Sequence, residues 1–168
     1  SFRYPIQRYD FFRYLAVYHF GGFYFDLDVL LSTPLTELLS FSCVFPFEQL
    51  TLSRFLRDEY GMDWELGNYA FGASPKHPFL GALIDNCVKA QQDPSWAESM
   101  MRSVPRMFRD DIFVLTTTGP QLVSRTLAEF SDADTQVEVL FPPNVCDPNT
   151  WFQFGTFGVH LMVGGWRS

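Results

Sequence analysis

The sequence predicts a single α/β domain, and three observations carry that expectation. Segments with helical and strand patterning alternate along the chain. The 168 residues are 47% hydrophobic and only 18% charged, a composition that folds around a core. No repeat, low-complexity tract or Gly/Ser-rich linker divides the sequence, so residues 1–168 read as one unit.

Each element has a local reason. Residues 5–20 read as a helix, because Pro5 suits a first helical turn and Gly21-Gly22 supplies a stop. Residues 23–31 read as one buried strand, aromatic and β-branched, with carboxylates at alternate positions. Thr33-Pro34 opens a short helix to about Leu39, and residues 43–47 form a short strand. Residues 51–64 are polar and read as a short helix plus loop, followed by a strand over 68–73. Ser74, as N-cap, then starts a helix to about Ala90, with Phe79, Leu80, Leu83, Ile84, Cys87 and Val88 as its apolar stripe. Residues 94–108 make a weaker helix interrupted by Pro105. Thr118-Gly119-Pro120 begins a helix ending near Phe130, with Leu122, Val123 and Leu127 inward. Residues 137–141 and 159–163 read as the last strands.

Charge and composition narrow the function classes. Twelve basic against 19 acidic residues give a net charge of −7, which argues against nucleic-acid binding and is compatible with holding a cation. Aromatic residues reach 18%, which points to an aromatic core, an aromatic-lined cleft, or both. Cys43, Cys87 and Cys146 are odd in number, widely spaced and without zinc spacing, and leave the redox compartment open. No apolar run approaches the roughly 20 residues of a membrane helix, and no signal peptide is visible. The chain opens on Ser1 rather than Met, so a processed product or a piece of a longer protein is expected.

The sharpest feature is Gly21-Gly22-Phe23-Tyr24-Phe25-Asp26-Leu27-Asp28-Val29. On a strand, side chains two apart share a face. Tyr24, Asp26 and Asp28 would then point one way, and Phe23, Phe25, Leu27 and Val29 the other. Two carboxylates on one face of an apolar strand are costly unless paired or bound to metal. A hard divalent cation with oxygen ligands would remove that cost. The plainer alternative is a strand end where both Asp residues face water. A D-x-D phosphatase is a rival, although its pattern wants Thr or Val where Leu30 stands. A glycoside hydrolase pair ranks lower, since such carboxylates normally come from different strands.

Four segments, in order, extend the pattern. Asp10-Phe11-Phe12-Arg13-Tyr14 with Tyr18, Gly21-Gly22 and Tyr24-Phe25-Asp26-Leu27-Asp28 is the first. Asn68-Tyr69-Ala70-Phe71-Gly72-Ala73 with His77-Pro78-Phe79 is the second, and Thr117-Thr118-Gly119-Pro120 the third. Val159-His160 with Gly164-Gly165-Trp166 is the fourth. Together they resemble glycosyltransferase family 32, the DXD sugar-binding glycosyltransferases related to initiating α-1,6-mannosyltransferases and inositol phosphoceramide mannosyltransferases.

That resemblance implies a GT-A fold, with a mixed sheet flanked by helices. It also implies transfer of a hexose (mannose, glucose or galactose type), with retention of configuration. The donor would be a GDP- or UDP-hexose and the acceptor a glycan or glycolipid. Mn2+, or Mg2+, would assist departure of the nucleoside diphosphate. By the same resemblance Asp26 and Asp28 are the catalytic pair and hold the metal, with Asp28 the stronger direct ligand and His160 the third. Asp10, Arg13, Tyr24 and Asn68 would contact the donor sugar. Trp166 and Gly165 would meet the nucleotide, Gly165 standing where the family usually has Ser. Glu48, Asp63 and Glu65 are acceptor-side candidates.

Family members carry substantial sequence before the Asp-x-x-Arg-Tyr helix, whereas nine residues precede Asp10 here. The expectation is therefore a partial GT-A catalytic domain over residues 1–168, lacking N-terminal strands. Any membrane anchor would lie outside this chain, with a Golgi lumen location if the source is eukaryotic. The alternative from another class is a non-catalytic sugar- or nucleotide-binding remnant of the same fold.

Overall fold

The structure, a computed structural model, describes residues 2–102, 104–132 and 134–163. In chain order the elements are α1 (Pro5–Phe20), β1 (Gly22–Phe25), β2 (Val29–Leu31), β3 (Cys43–Leu50), α2 (Arg54–Tyr60), β4 (Trp64–Leu66) and β5 (Ala70–Ala73). There follow α3 (Pro78–Gln92), α4 (Pro94–Glu98), α5 (Arg109–Thr117), α6 (Pro120–Glu129), β6 (Glu138–Leu140), β7 (Gln153–Phe154) and β8 (Gly158–His160). Short 3-10 turns occupy Thr36–Ser40, Ser99–Met101, Arg106–Phe108 and Pro148–Thr150.

Two sheets result. In the larger, β1 pairs antiparallel with β5, β5 with β3 and β3 with β4, while β6 lies parallel to β3. The smaller is antiparallel in the order β2-β8-β7. The fold is therefore mixed α/β, as the sequence predicts, and compatible with a GT-A-like arrangement.

Alternation on the central strands sorts side chains into two cores. Phe45 and Phe71 face the helices, where Tyr14, Val17, Phe79, Leu80, Leu83, Cys87, Leu122 and Val123 close the main core. Their rings stack at 4.9 Å, only 3° from parallel. Val44, Tyr69 and Ala70 face the opposite way, onto Leu38 and Phe154, with Phe23, Phe25 and Val29 packed against them. Each large side chain so buried contributes about 1.5–3 kcal/mol. The aromatic excess is thus largely core.

Local chemistry explains the element ends. Helix α1 starts with Pro5 and stops at Gly21, whose N–H donates to the Val17 carbonyl at 2.7 Å. Gly21 has φ 71°, and a Cβ there would lie 2.6 Å from Pro75 Cδ, so only glycine fits. The buried stripe of α1 is Gln7, Asp10, Arg13, Tyr14 and Val17. Its spacing is helical, but three of the five are polar or charged.

Four sequence expectations need correction. Residues 23–31 are not one strand: β1 ends at Phe25, β2 begins at Val29, and a turn joins them, with the Val29 N–H donating to the Asp26 carbonyl at 3.0 Å. Aspartate favours turns because its side chain bonds nearby backbone. Leu27 stands fully exposed at the tip and does not share the apolar face of Phe23 and Phe25. Ser74 does not cap α3; His77 holds that position, its N–H donating to the Ser74 carbonyl at 3.3 Å. Residues 94–108 break into α4 and 3-10 turns, because Asp93 caps Ser95 and Trp96 and Pro105 interrupts the path. Helix α5 is unforeseen, since its Val114 and Thr116–Thr117 disfavour helix. The Thr116 and Thr117 hydroxyls donate back to the Ile112 and Phe113 carbonyls at 2.9 and 2.6 Å.

Candidate functional site

The β1–β2 turn is where the chain leaves the large sheet and enters the small one. Asp26 and Asp28 sit on it. Residue pairing of β2 with β8 sets Val29 opposite His160, which brings the imidazole to the same turn. Asp26, Asp28 and His160 each offer a ligand atom, all within 4.8 Å of one another, and all three side chains are partly exposed. Two carboxylates and one imidazole are a donor set that suits a divalent cation.

The two carboxylates are held differently. Asp26 Oδ1 accepts from the Tyr24 hydroxyl at 2.6 Å and lies 3.1 Å from Arg13 Nη1. Its own N–H donates to the Tyr69 carbonyl at 2.7 Å. Asp28 Oδ1 is 3.2 Å from His160 Nε2, and its Oδ2 accepts from the Val163 N–H at 3.0 Å. The Leu161 N–H donates to the Asp28 carbonyl at 2.9 Å. Asp26 thus has a guanidinium for a neighbour, whereas among the described residues Asp28 has only the His160 ring and backbone. That difference makes Asp28 the carboxylate with more capacity left for a cation.

Behind the turn, the polar stripe of α1 forms a buried network. Arg13 is the hub: Nη2 lies 3.1 Å from Asp10 Oδ1, and Nη1 donates to the Asn68 carbonyl at 2.9 Å. Its guanidinium also lies over the Tyr24 ring, 4.7 Å from the centroid. Asp10 accepts from the Thr118 hydroxyl at 2.9 Å and from Asn68 Nδ2 at 3.3 Å. Tyr14 accepts from Asn68 Nδ2 at 2.9 Å and donates to the Thr118 carbonyl at 2.7 Å. Both members of the Asp10–Arg13 pair are buried, so it is not the solvated surface pair that i,i+3 spacing alone would allow. Burial pushes the Asp10 carboxyl up to about 6, against the pull of Arg13 and of the Thr118 hydroxyl. Burial likewise pushes the Tyr24 phenol up, with Arg13 opposing and the bond to Asp26 adding to the rise.

The structure therefore brings Asp10, Arg13, Tyr24, Asp26, Asp28, Asn68 and His160 into one connected site. Gly165 and Trp166 lie outside the described residues. Of the acceptor-side candidates, Asp63 is exposed. Glu65 is buried and engaged by Thr51 and Gln121. Glu48 has a carboxylate oxygen buried without a partner among the described residues. Sequence reasoning missed Thr118 and Tyr69. Thr118 reads there as a helix start within the family-like Thr-Gly-Pro segment, with no side-chain role, yet its hydroxyl braces Asp10. Tyr69 stacks on His160 with ring centroids 4.5 Å apart and planes 17° from parallel; its one signal was its place beside Asn68.

Residues 1–45 match the family described as the glycosyltransferase sugar-binding region containing the DXD motif. Inositol phosphoceramide mannosyltransferase 1 of Schizosaccharomyces pombe is 38% identical over 90 residues, which is 53% of this chain and 24% of that protein. Mannosyl phosphorylinositol ceramide synthase SUR1 of Saccharomyces cerevisiae is 34% identical over 80 residues, 48% of this chain and 18% of that protein. The chain thus aligns with a quarter or less of the length of these curated relatives. Among the described residues, no helix is long and apolar enough to cross a membrane. Through its DXD region, the chain is similar to glycosyltransferases.

Proposed function

We propose that this chain is part of the catalytic region of a metal-dependent, retaining hexosyltransferase that uses a nucleotide-sugar donor. The observation that carries the reading is the convergence of Asp26 and Asp28, inside the matched DXD region, with His160 from β8. Mn2+ suits two carboxylates plus an imidazole better than Mg2+ does. Bound there, it would act as a Lewis acid on the diphosphate of the departing nucleotide.

The chain's own residues have distinct tasks in this proposal. Asp28 and His160 present ligand atoms, and Asp26 joins them while tied to Arg13 and Tyr24. Arg13 fixes the Asp26 carboxylate and, with Asp10, forms the floor against which donor-sugar hydroxyls lie. Tyr24 and Asn68 stand beside that floor. Gly165 and Trp166 are assigned to the nucleotide. A phosphatase using Asp26 as nucleophile fits less well, because the Tyr24 hydroxyl and Arg13 already occupy its Oδ1.

The names of the two fungal relatives favour mannose as the hexose and an inositol phosphoceramide-like glycolipid as acceptor. The Golgi lumen is the proposed compartment, with any membrane anchor outside these residues. The test is hydrolysis of a panel of GDP- and UDP-hexoses by the full chain with Mn2+. Turnover of one donor, lost in Asp28→Asn, supports the reading. Donor binding with no turnover identifies a binding remnant instead, and turnover of p-nitrophenyl phosphate without any nucleotide sugar restores the phosphatase.

A further inference from the structure

A cavity of about 330 Å³ lies between the start of α2 and the segment that runs from α4 into α5. That size suits a small ligand or a headgroup. Ser53 and Gln121 are its buried polar members and Met100 its buried apolar one. Gln121 Nε2 donates to Glu65 at 3.3 Å, which holds the amide in place. Val104 and the half-buried Ile112 line the cavity as well. Leu52 and Arg54 stand at its lip, both exposed, Leu52 by 87%.

The charge around this cavity runs against that of the chain, which has 12 basic and 19 acidic residues. Residues 51–57 hold Arg54 and Arg57 and no acid. Residues 99–109 hold Arg102, Arg106 and Arg109 and no acid. All five arginines are exposed. Of the acids that follow, Asp110 pairs with Arg3 at 3.2 Å, and Asp58 and Glu59 fall in the last turn of α2. Between the lining residues Val104 and Ile112 the chain exposes Met107 by 82% and Phe108 by 52%, with Arg106 before them and Arg109 after. A merely solvated basic face has no use for Leu52, Met107 and Phe108 among its guanidinium groups. Arginines interleaved with exposed apolar side chains are the pattern of a face that rests on an anionic lipid surface.

We propose that this face seats an anionic lipid at a bilayer surface, with a polyol-phosphate headgroup in the cavity beside Arg54 and with Leu52, Met107 and Phe108 dipping into the acyl boundary. Arginine suits the phosphate, because its planar N–H fork matches phosphate oxygens. Ser53 and Gln121 supply the polar wall that a hydroxylated headgroup needs. The contact is peripheral and distinct from any membrane-spanning anchor. It does not rest on the cation site, and its test needs no metal.

The test is co-sedimentation of the full chain with vesicles of phosphatidylcholine, alone or mixed with phosphatidylinositol or with phosphatidylserine. The expected result is binding to the phosphatidylinositol vesicles above the other two. That binding should weaken about fivefold in Arg54→Gln and about fivefold in Arg106→Gln. Met107→Ser combined with Phe108→Ser should release the chain from the same vesicles. All four side chains are exposed, so the thermal midpoints should stay at the unmodified protein's. Equal binding to phosphatidylserine vesicles, or undiminished binding in Arg54→Gln, overturns the headgroup site in the cavity. Calorimetric titration with soluble inositol phosphate separates the two sources of the headgroup. Uptake of that compound without vesicle binding, or no binding to any vesicle, overturns the lipid assignment and leaves the Mn2+ reading standing.

Discussion

Replacing Arg13 with methionine takes a buried cation from between two carboxylates, and the structure sets the size of the loss. Arg13 lies 3.1 Å from Asp10 and 3.1 Å from Asp26, and its side chain is only 7% exposed. Methionine keeps most of the apolar stem but leaves Asp10 buried without a counter-charge. Removing one partner of a buried pair costs about 3–5 kcal/mol. For a chain of this length each kcal/mol moves the thermal midpoint by about 2–4 °C, so the drop should be roughly 6–20 °C near neutral pH. The loss should shrink at about pH 5, because an uncompensated Asp10 takes up a proton and ceases to be a buried charge. Urea unfolding at the two pH values, followed by circular dichroism, measures both effects. Adding Asp10→Asn to the Arg13→Met protein should recover about 1 kcal/mol or more. A destabilisation under about 0.5 kcal/mol, or one indifferent to Asp10→Asn, would refute the account of Arg13 as the hub of a buried charge network.

Further outcomes follow from single observations. The folded-state value of Asp10 is raised to about 6 from an ordinary 3.8, so the folded protein binds the extra proton between those values. Stability from this group is therefore fully present below about pH 4 and is lost as pH rises through about 6, a change of roughly 3 kcal/mol. Unfolding free energy measured across that window should lose this slope in Asp10→Asn, and an unaltered slope assigns it to other groups. Gly72 on β5 opposes Phe23 on β1, and an added Cβ would collide with that ring. Gly72→Ala should cost about 1–3 kcal/mol in thermal unfolding; a neutral result means the β1–β5 pair yields easily.

Much of the fold is legible in the sequence because its signals are local. Pro5 and Gly21 bracket α1, and the apolar stripe of α3 is readable from spacing alone. Of that stripe Phe79, Leu80, Leu83 and Cys87 are fully buried. The failures have physical causes too. Alternation over residues 23–31 looks like one strand, yet Asp-x-Asp is equally good turn chemistry, and only the second sheet decides between them. Helix α5 hides behind a threonine run whose hydroxyls find carbonyls inside the helix itself.

The site divides in the same way. Asp26 and Asp28 announce themselves as charges in an apolar segment, and His160 through its place in the family-like pattern. The shell behind them does not. Thr118 on Asp10 and Tyr69 on His160 arise from packing between elements far apart in sequence, and residue type alone carries no trace of them.

The central claim is that Asp26, Asp28 and His160 form a cation site in a glycosyltransferase-related domain, and Mn2+ titration of thermal stability tests it most directly. At about 100 times its dissociation constant, a ligand bound only by the folded state adds about 2.7 kcal/mol. The unmodified chain should therefore gain roughly 5–11 °C, and Asp28→Asn and His160→Ala should gain nothing. An Asp28→Asn protein stabilised by Mn2+ as strongly as the unmodified chain would contradict the account.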